Sequence, residues 1–382
     1  MSKPRLLMVT RNFPPLWGGM ERLNWHMAQE LVKRFDVRVI GPQGAAALAP
    51  SGVGVREAPL KPLPTFLLAA ARLTRREARA WRPHVVLAGS GLVGPIALWA
   101  ARACGAQAVV YVHGLDLTVP HPVYRALWLP ALRRMDRVIA NSHATAQLAA
   151  QVGIAKAHIG VVHPGVEIQS PDSVARASFR AKFNLGDRHL LLSVGRLTSR
   201  KGLREFVVNV LPLIMAERQD VMLLVVGDLP NQALFHEGVS PQRILDAADA
   251  AKLSGHVRFL GKLPEADLQA AYEAADVHVF PVRHVPHDPE GFGMVAVEAA
   301  GRGLATVAYA TGGVVDAVAD GVSGYLIQPE DSRGFAAAVL SLLERPLPKD
   351  DVRAFAARFA WPKFGSALYQ SMATTQWSSD DS

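Results

Sequence analysis

Glu290 and Glu298 lie eight positions apart, and a Gly-Phe-Gly run follows the first of them directly. Residues 277–280 are β-branched or aromatic at three of four positions, which predicts a strand, and the alanine-rich run 294–302 predicts a helix. A loop at a helix N-terminus offers free N–H groups to a phosphate or a hydroxylated ligand. We therefore expect Glu290 and Glu298 to contact different parts of one extended ligand. The alternative is that Glu290 caps the helix and Glu298 is a solvated helical charge.

A second loop, residues 195–202, carries three cations within six residues, between a predicted strand and a predicted helix. We expect Arg196 and Lys201 to bind a diphosphate, because arginine supplies a bidentate fork and lysine a compact charge. The glycine-lysine-hydroxyl order of a Walker loop is missing. The first strand is also not followed by a complete G-x-G-x-x-G, which argues against a dinucleotide oxidoreductase.

Two further candidates lie in the first half of the chain. Gly18 and Gly19 precede a predicted helix, 20–34, and would form another N-terminus that favours anions, although a two-glycine turn is common. His113 ends a predicted strand, 108–113, where a lone histidine is structural about as often as functional.

The length of 382 residues suits two domains, and half of the residues are hydrophobic. Short apolar strands alternate with helical stretches in both halves. This pattern predicts parallel sheets covered on both faces, with ligands at the carboxyl ends of the strands. We expect residues 166–187 to connect the domains, 361–376 to form a terminal helix, and 378–382 to be a frayed acidic tail.

The charge is unevenly distributed between the halves. Residues 1–167 hold 20 Lys or Arg and 8 Asp or Glu, a net +12, whereas residues 168–382 hold 21 and 25, a net −4. A basic first half suits anionic lipid, phosphate or nucleic acid. Nucleic acid is the weaker option because no nucleic-acid-binding motif accompanies the charge.

Four arginines recur at helical spacing in the first half, at Arg72, Arg75, Arg76 and Arg79. They would share one face of a helix whose other positions include large apolar residues. Such a basic amphipathic helix suits an anionic membrane surface. The alternative is an ordinary solvated helix face.

Cys104 is the single cysteine, which favours a reducing compartment and thus a cytoplasmic protein. The N-terminus leads directly into a predicted strand and has no signal-peptide pattern. No apolar run reaches about 18 residues, so we expect no membrane-spanning segment.

Several weak motifs occur in a fixed order along nearly the whole chain, and together they resemble the retaining glycosyltransferases of the GT-B fold, family GT4 (group 1). The motifs are Phe13-Pro14-Pro15 with Gly18-Gly19 and Glu21, His113-Gly114, Gly195-Arg196 with Lys201-Gly202, Glu290 to Glu298 around Gly291-Phe292-Gly293, Thr311-Gly312-Gly313, and Gly321-Val322-Ser323-Gly324.

The resemblance implies two Rossmann-like doubly wound parallel-sheet domains facing across a cleft. Residues 1–168 would be the acceptor-side domain and 169–360 the nucleotide-sugar-binding domain. Residues 361–382 would form a helix crossing back to the first domain, plus a tail. The stretches 43–64 and 230–241 would be loops that set acceptor choice, without a readable code.

The resemblance also implies residue roles. Arg196 and Lys201 would bind the donor diphosphate and stabilise the leaving nucleotide, Glu290 would hold sugar hydroxyls, Glu298 the ribose hydroxyls, and His113 would lie against the sugar. The catalytic residues would thus be Glu290, His113, Arg196 and Lys201. The donor-binding residues would be Gly18, Gly19, Arg196, Lys201, Gly291, Phe292, Gly293, Met294 and Glu298.

The implied reaction moves a sugar from a UDP- or GDP-linked donor to a glycan or glycolipid acceptor, as in polysaccharide, lipopolysaccharide or glycolipid synthesis. We expect no cofactor and no metal, because no Asp-x-Asp motif is present and Asp288-x-Glu290 fits a ligand loop better. Glu290 would position hydroxyls rather than act as a covalent nucleophile. The enzyme would be cytoplasmic, with reversible peripheral contact to the inner face of the membrane and no nucleic-acid partner.

Other interpretations remain open. A small soluble acceptor would replace the membrane-bound one, and a sugar-nucleotide epimerase-like GT-B enzyme would act without an acceptor. A binding-only homologue disagrees with the intact Arg196, Lys201 and Glu290. An α-glucan phosphorylase would need a pyridoxal lysine and a much longer chain.

Overall fold

The computed structural model describes residues 3–170, 172–229 and 238–373. The chain divides into two compact units. Unit 1 contains the residues up to Gly165 together with those from Trp361 onward, and unit 2 contains Val166–Ala360.

Unit 1 is built on a seven-stranded sheet in the order β3-β2-β1-β4-β5-β6-β7, with all neighbouring strands parallel. Its strands are β1 (Arg5–Val9), β2 (Asp36–Pro42), β3 (Val53–Ala58), β4 (Val85–Ala88), β5 (Gln107–Val112), β6 (Arg137–Ala140) and β7 (Ile159–Val161). The central strands are almost wholly apolar, because a parallel sheet covered on both faces buries both sides of each strand.

Helices connect these strands. They are α1 (Gly19–Leu31), α2 (Leu63–Trp81), α3 (Gly94–Cys104), α4 (Leu115–Thr118), α5 (Pro122–Leu132) and α6 (His143–Gln151). In α2 the buried residues Phe66, Ala70, Thr74 and Ala78 recur every fourth position, so one stripe of the helix faces the sheet. The same hydrophobic core contains side chains from α2, α3 and α5, which therefore cover the same face of the sheet.

Unit 2 has a six-stranded parallel sheet in the order β10-β9-β8-β11-β12-β13. The strands are β8 (His189–Val194), β9 (Val221–Val226), β10 (Val257–Gly261), β11 (Val277–Phe280), β12 (Thr306–Tyr309) and β13 (Gly324–Ile327). The helices are α7 (Ser173–Lys182), α8 (Leu203–Asn209), α9 (Leu211–Glu217), α10 (Pro241–Ala250), α11 (Glu265–Ala274), α12 (Met294–Gly301), α13 (Val314–Ala317), α14 (Ser332–Glu344) and α15 (Lys349–Ala356).

The terminal helix α16 (Trp361–Met372) belongs to unit 1, where it packs on α1. The Trp361 ring stacks on His26 with 3.9 Å between centroids. A Cβ at Gly165 would collide with the Trp361 ring, so this position requires glycine. Residues 374–376 of the predicted helix and the predicted tail 378–382 lie outside the described residues.

Two predictions about connecting segments are wrong. The predicted loop 43–64 contains β3, and the predicted connection 166–187 contains α7. Both elements bury few side chains: β3 is an edge strand with mostly exposed or half-buried positions, and Phe179 is the one fully buried residue in α7. Within the described residues, none of the helices has the length and apolar character needed to cross a membrane.

Candidate active site

Two loops meet at the centre of the unit 2 sheet. One follows β8 and the other follows β11, and these neighbouring strands mark the point where the strand order reverses. Ligands of open parallel sheets bind at the carboxyl ends of the strands at such a point. The Arg283 N–H donates to the Arg200 carbonyl at 2.9 Å, and a Cβ at Gly202 (φ 66°) would collide with the Pro281 carbonyl. The two loops are therefore held in close contact.

Two cations and two carboxylates form a compact cluster between these loops. Lys201 Nζ donates to Glu290 Oε2 at 2.8 Å, and Arg200 Nη1 donates to the same oxygen. Arg200 Nε also lies 3.2 Å from Asp288 Oδ1. The side chains are largely buried, with 7% of Arg200 and 11% of Glu290 exposed. Because the four formal charges cancel, the cluster is neutral before any ligand arrives.

The two oxygens of Glu290 differ in their surroundings. Both cations contact Oε2, whereas no hydrogen bond or ion pair from the described residues reaches Oε1. The carboxylate is thus anchored through Oε2, and Oε1 can accept a hydrogen bond from a ligand hydroxyl.

The cluster shifts the pKa values of its members. Burial alone would raise the pKa of Glu290, but the charges of Arg200 and Lys201 outweigh it and lower the pKa to about 2. Burial lowers the pKa of Lys201 to about 8, with Glu290 opposing the shift and Arg200 adding to it. Lys201 Nζ also lies 4.5 Å from the centre of the Phe280 ring, a cation–π contact.

His278 lies fully buried on β11, next to this cluster. Its Nδ1 lies 3.0 Å from Thr306 Oγ1. Burial and the charge of Lys201 lower the pKa of His278 to about 3. The imidazole is therefore neutral at physiological pH and adds no positive charge beside Lys201.

A pocket opens beside the cluster and is lined by Gly195, Arg196, Lys201 and Phe280, among others. Arg196 is exposed, and its side chain makes no hydrogen bond or ion pair within the described part of the chain. Its charge still acts on Lys201, whose pKa it helps to lower. Arg196 is therefore free to turn toward an anion in the pocket.

The glycine loop after Glu290 is held in place by the pair Gly312-Gly313. The Gly313 N–H donates to the Glu290 carbonyl at 2.9 Å, and a Cβ at Gly313 would collide with the Gly291 carbonyl. Gly293 has a φ of 93° and caps α12, whose first residue is Met294. Phe292 is buried against Phe359, so it offers a ligand its backbone rather than its ring.

Glu298 lies on α12 and is half-buried. The hydroxyl of Tyr272, on α11, donates to Glu298 Oε2 at 3.2 Å. Tyr272 is almost fully buried and fixes the direction of the carboxylate.

The remaining predicted residues belong to unit 1. His113 Nε2 lies 3.0 Å from the Gly89 carbonyl. Because a carbonyl only accepts, Nε2 carries a proton and donates it to this bond. The backbone N–H of His113 donates to Asp116 Oδ2 at 3.0 Å. Gly18 and Gly19 are exposed at the start of α1.

Comparison with known proteins identifies the family. Residues 175–358 match the family model "Glycosyl transferases group 1", and residues 17–170 match "Glycosyltransferase Family 4". A GDP-mannose-dependent alpha-(1-6)-phosphatidylinositol monomannoside mannosyltransferase of Mycolicibacterium smegmatis is 30% identical over 360 residues, covering 89% of this chain and 90% of the relative. The chain belongs to the group 1 glycosyltransferases of family GT4.

Solved structures show the same fold as this glycosyltransferase. Anabaena Alr3699/HepE, in complex with UDP and glucose, has a TM-score of 0.77 at 19% identity, covering 97% of this chain and 99% of that one. WaaG, a glycosyltransferase involved in lipopolysaccharide biosynthesis, has a TM-score of 0.69 at 16% identity, covering 96% and 99%. The predicted GT-B fold with two Rossmann-like parallel-sheet domains is confirmed.

The structure places the predicted residues of the glycosyltransferase in two groups. Arg196, Lys201, Glu290, the segment 291–294 and Glu298 lie in unit 2, while His113, Gly18 and Gly19 lie in unit 1. The sequence interpretation missed Arg200 and Asp288, which complete the cluster around Glu290. The signal was present, since Arg200 is one of the three cations in the loop 195–202 and Asp288 is two positions before Glu290.

Proposed function

We propose that this glycosyltransferase is a retaining, metal-independent enzyme that transfers a hexose from a UDP- or GDP-linked sugar to a glycan or glycolipid acceptor. The observation that carries the proposal is the pair of cations on one oxygen of Glu290, beside a glycine loop at the centre of the unit 2 sheet.

The leaving group of the reaction is a nucleoside diphosphate, whose charge grows as the bond to the sugar breaks. Lys201 and Arg196 line the same pocket and are the cations that would meet it. Fixed cations aimed at developing charge are often the largest contribution to catalysis, and losing one typically slows the reaction about 10²–10³-fold. These side chains would supply the charge that a metal ion supplies elsewhere, so the reaction would need no metal and no cofactor.

Glu290 would hold the donor sugar through hydrogen bonds rather than attack it. Its low pKa keeps it an acceptor, and its free Oε1 faces no competing donor within the described residues. The backbone of 291–294 would line the same sugar and Glu298, held by Tyr272, would take the ribose hydroxyls. Retention would then follow from attack on the face from which the leaving group departs. His113, Gly18 and Gly19 remain proposed donor contacts of unit 1.

The acceptor would be a lipid-linked or glycan substrate at the inner face of the cytoplasmic membrane. The mannosyltransferase relative acts, by its name, on a phosphatidylinositol monomannoside, and a relative in Streptosporangium roseum, 31% identical over 65% of this chain, is a D-inositol 3-phosphate glycosyltransferase. WaaG is involved in lipopolysaccharide biosynthesis. The net charge of +12 on residues 1–167 favours an anionic acceptor or surface.

The test begins with thermal unfolding in the presence of GDP, UDP and their sugar conjugates. A ligand at a hundredfold excess over its Kd stabilises by about 2.7 kcal/mol. The donor so identified is then incubated with phosphatidylinositol mannoside, inositol phosphate or neither, in excess EDTA, and the anomer of the product is determined by NMR. Transfer with retention in EDTA supports the proposal. Inversion, a requirement for Mg²⁺ or Mn²⁺, or epimerised sugar nucleotide without transfer would contradict it.

A further inference from the structure

Helices α2, α3 and α5 form one layer on unit 1, and their outward side chains share one solvent-facing surface. The three helices contribute to a single hydrophobic core, and α3 packs against both α2 and α5. We call their outward surface the helical face. It is defined by Leu68, Arg72, Arg75, Arg76, Arg79, Trp99, Val123, Arg125 and Leu127.

Five arginines on the helical face are exposed, and no hydrogen bond or ion pair holds their side chains within the described part of the chain. They are Arg72, Arg75, Arg76, Arg79 and Arg125. The sixth arginine of the layer, Arg102, is paired with Asp136 at 2.8 Å. Unpaired exposed arginines keep their full charge for an external partner.

Acidic groups are missing from the outward side of these helices. Helices α3 and α5 contain no Asp or Glu. The one acidic residue of α2 is Glu77, which is 12% exposed and accepts from Arg38 and Arg56 at 2.8 and 3.2 Å. Nothing on the three helices therefore offsets the five free positive charges.

Large apolar side chains stand among these arginines. Trp99 is 71% exposed on α3, and Leu68, Val123 and Leu127 are each more than half exposed. Leu68 is in the same stripe of α2 as Arg72, Arg75 and Arg79, at spacings of 4, 7 and 11 positions. Tryptophan favours the boundary between lipid headgroups and acyl chains, and arginine favours anionic headgroups.

We propose that the helical face docks on an anionic bilayer, with the arginines at the headgroups and Trp99 and Leu127 inserted as an apolar anchor. This deepens the proposed function and rests on it, because it specifies how unit 1 meets a lipid-linked acceptor. A second copy of the chain fits less well, since a twofold contact would place the same arginines opposite each other. The arginines and the apolar anchor contribute to binding with different salt dependence, because salt screens charge attraction but not apolar insertion.

The experiment measures sedimentation of the full chain, without donor, with neutral or anionic vesicles at low and at high salt. Each arginine near an anionic surface strengthens binding about fivefold, so replacing Arg72, Arg75, Arg76 and Arg79 by glutamine should weaken low-salt binding several hundredfold. The matched variant with four lysines keeps the charge and should bind like the wild type. At about 1 M salt the Debye length falls to about 3 Å, and a weak apolar contribution should remain.

The apolar anchor is tested by combining Trp99→Ser with Leu127→Ser. This variant should lose the binding that survives high salt while retaining preference for anionic vesicles. Trp17→Ser is the matched control, because Trp17 is also 71% exposed but lies outside the three helices, and it should bind like the wild type.

Three outcomes would overturn the proposal: no low-salt binding of the wild type to anionic vesicles, high-salt binding that the Trp99 and Leu127 variant retains, or a solution dimer that this variant dissociates. The readout is separate from catalysis. An enzyme that binds vesicles but transfers sugar to no acceptor contradicts only the proposed function. An enzyme that glycosylates a soluble headgroup but ignores vesicles contradicts only the docking surface.

Discussion

Lys201 Nζ donates to Glu290 Oε2 at 2.8 Å, so the cation expected to meet the donor is paired with a carboxylate of the same site. A diphosphate arriving in the pocket must draw Lys201 away from that partner. Arg200 contacts the same oxygen, and therefore Glu290 stays paired when Lys201 moves. The arrangement assigns the two neighbouring cations different tasks: Arg200 holds the carboxylate, and Lys201 is free to exchange partners.

Arg200→Gln should therefore weaken nucleoside-diphosphate binding, although Arg200 itself is too buried to be the main phosphate ligand. Without Arg200, Glu290 has Lys201 as its remaining cationic partner. Glu290 therefore competes more strongly with the phosphate for Lys201. A hydrogen bond to a charged group is worth roughly 1.5–3 kcal/mol, so we expect a loss of about tenfold or more by calorimetry. Arg200→Lys should restore part of the affinity. Arg333→Gln, at an exposed position on α14, is the control and should leave binding unchanged.

The sequence predicts best those elements whose residues are almost all apolar. The strands β1, β4 and β9 are nearly continuous buried runs. Their apolar sequences predict strands at 5–10, 84–88 and 221–226, within one residue of the observed bounds. The missed strand β3 lies at the sheet edge and carries Arg56 and Glu57, so its alternation is obscured by polar residues. In α7 a single buried phenylalanine gives no helical periodicity.

The site shows a different limit of sequence reasoning. The glycine loops and the cations of 195–202 were recognisable from residue type and spacing. Whether Arg200 reaches Glu290 in addition to Lys201 depends on side-chain direction across 90 positions of sequence, and the fold alone decides this. The burial of Arg200 follows from the contact between the two loops, which neither segment encodes by itself.

Glu290→Gln should reduce sugar transfer by more than tenfold, in the range of about 10²–10³ expected for a lost transition-state interaction. Binding of the nucleoside diphosphate should survive, because the amide no longer attracts Lys201. Initial rates with the intact donor and calorimetry with the diphosphate separate the two effects. A variant that keeps more than about a tenth of the wild-type rate would contradict a role for Glu290 in the transition state.

Lys201→Ala and Arg196→Ala should each weaken binding of the nucleoside diphosphate more than binding of the free nucleoside. Both side chains line the pocket, and a charge-assisted contact is worth roughly 1.5–3 kcal/mol. Titration calorimetry with the two ligands gives the comparison directly. Equal losses for both ligands would show that neither cation contacts the phosphates. Arg333→Gln again serves as the control for loss of positive charge.

Binding of the nucleoside diphosphate should depend on pH near 8, because burial lowers the pKa of Lys201 to about that value. A bound diphosphate favours the protonated amine and raises this pKa. Below pH 8 the lysine is already charged and affinity should be constant. Above pH 8 the protein must take up a proton to bind, so affinity should fall by up to about tenfold per pH unit until the pKa of the complex is reached. Calorimetry at alkaline pH in two buffers of different ionisation enthalpy measures that proton uptake. The variant Lys201→Arg carries a permanent charge and should bind the diphosphate without proton uptake. Proton uptake that persists in Lys201→Arg would assign the titration to another group.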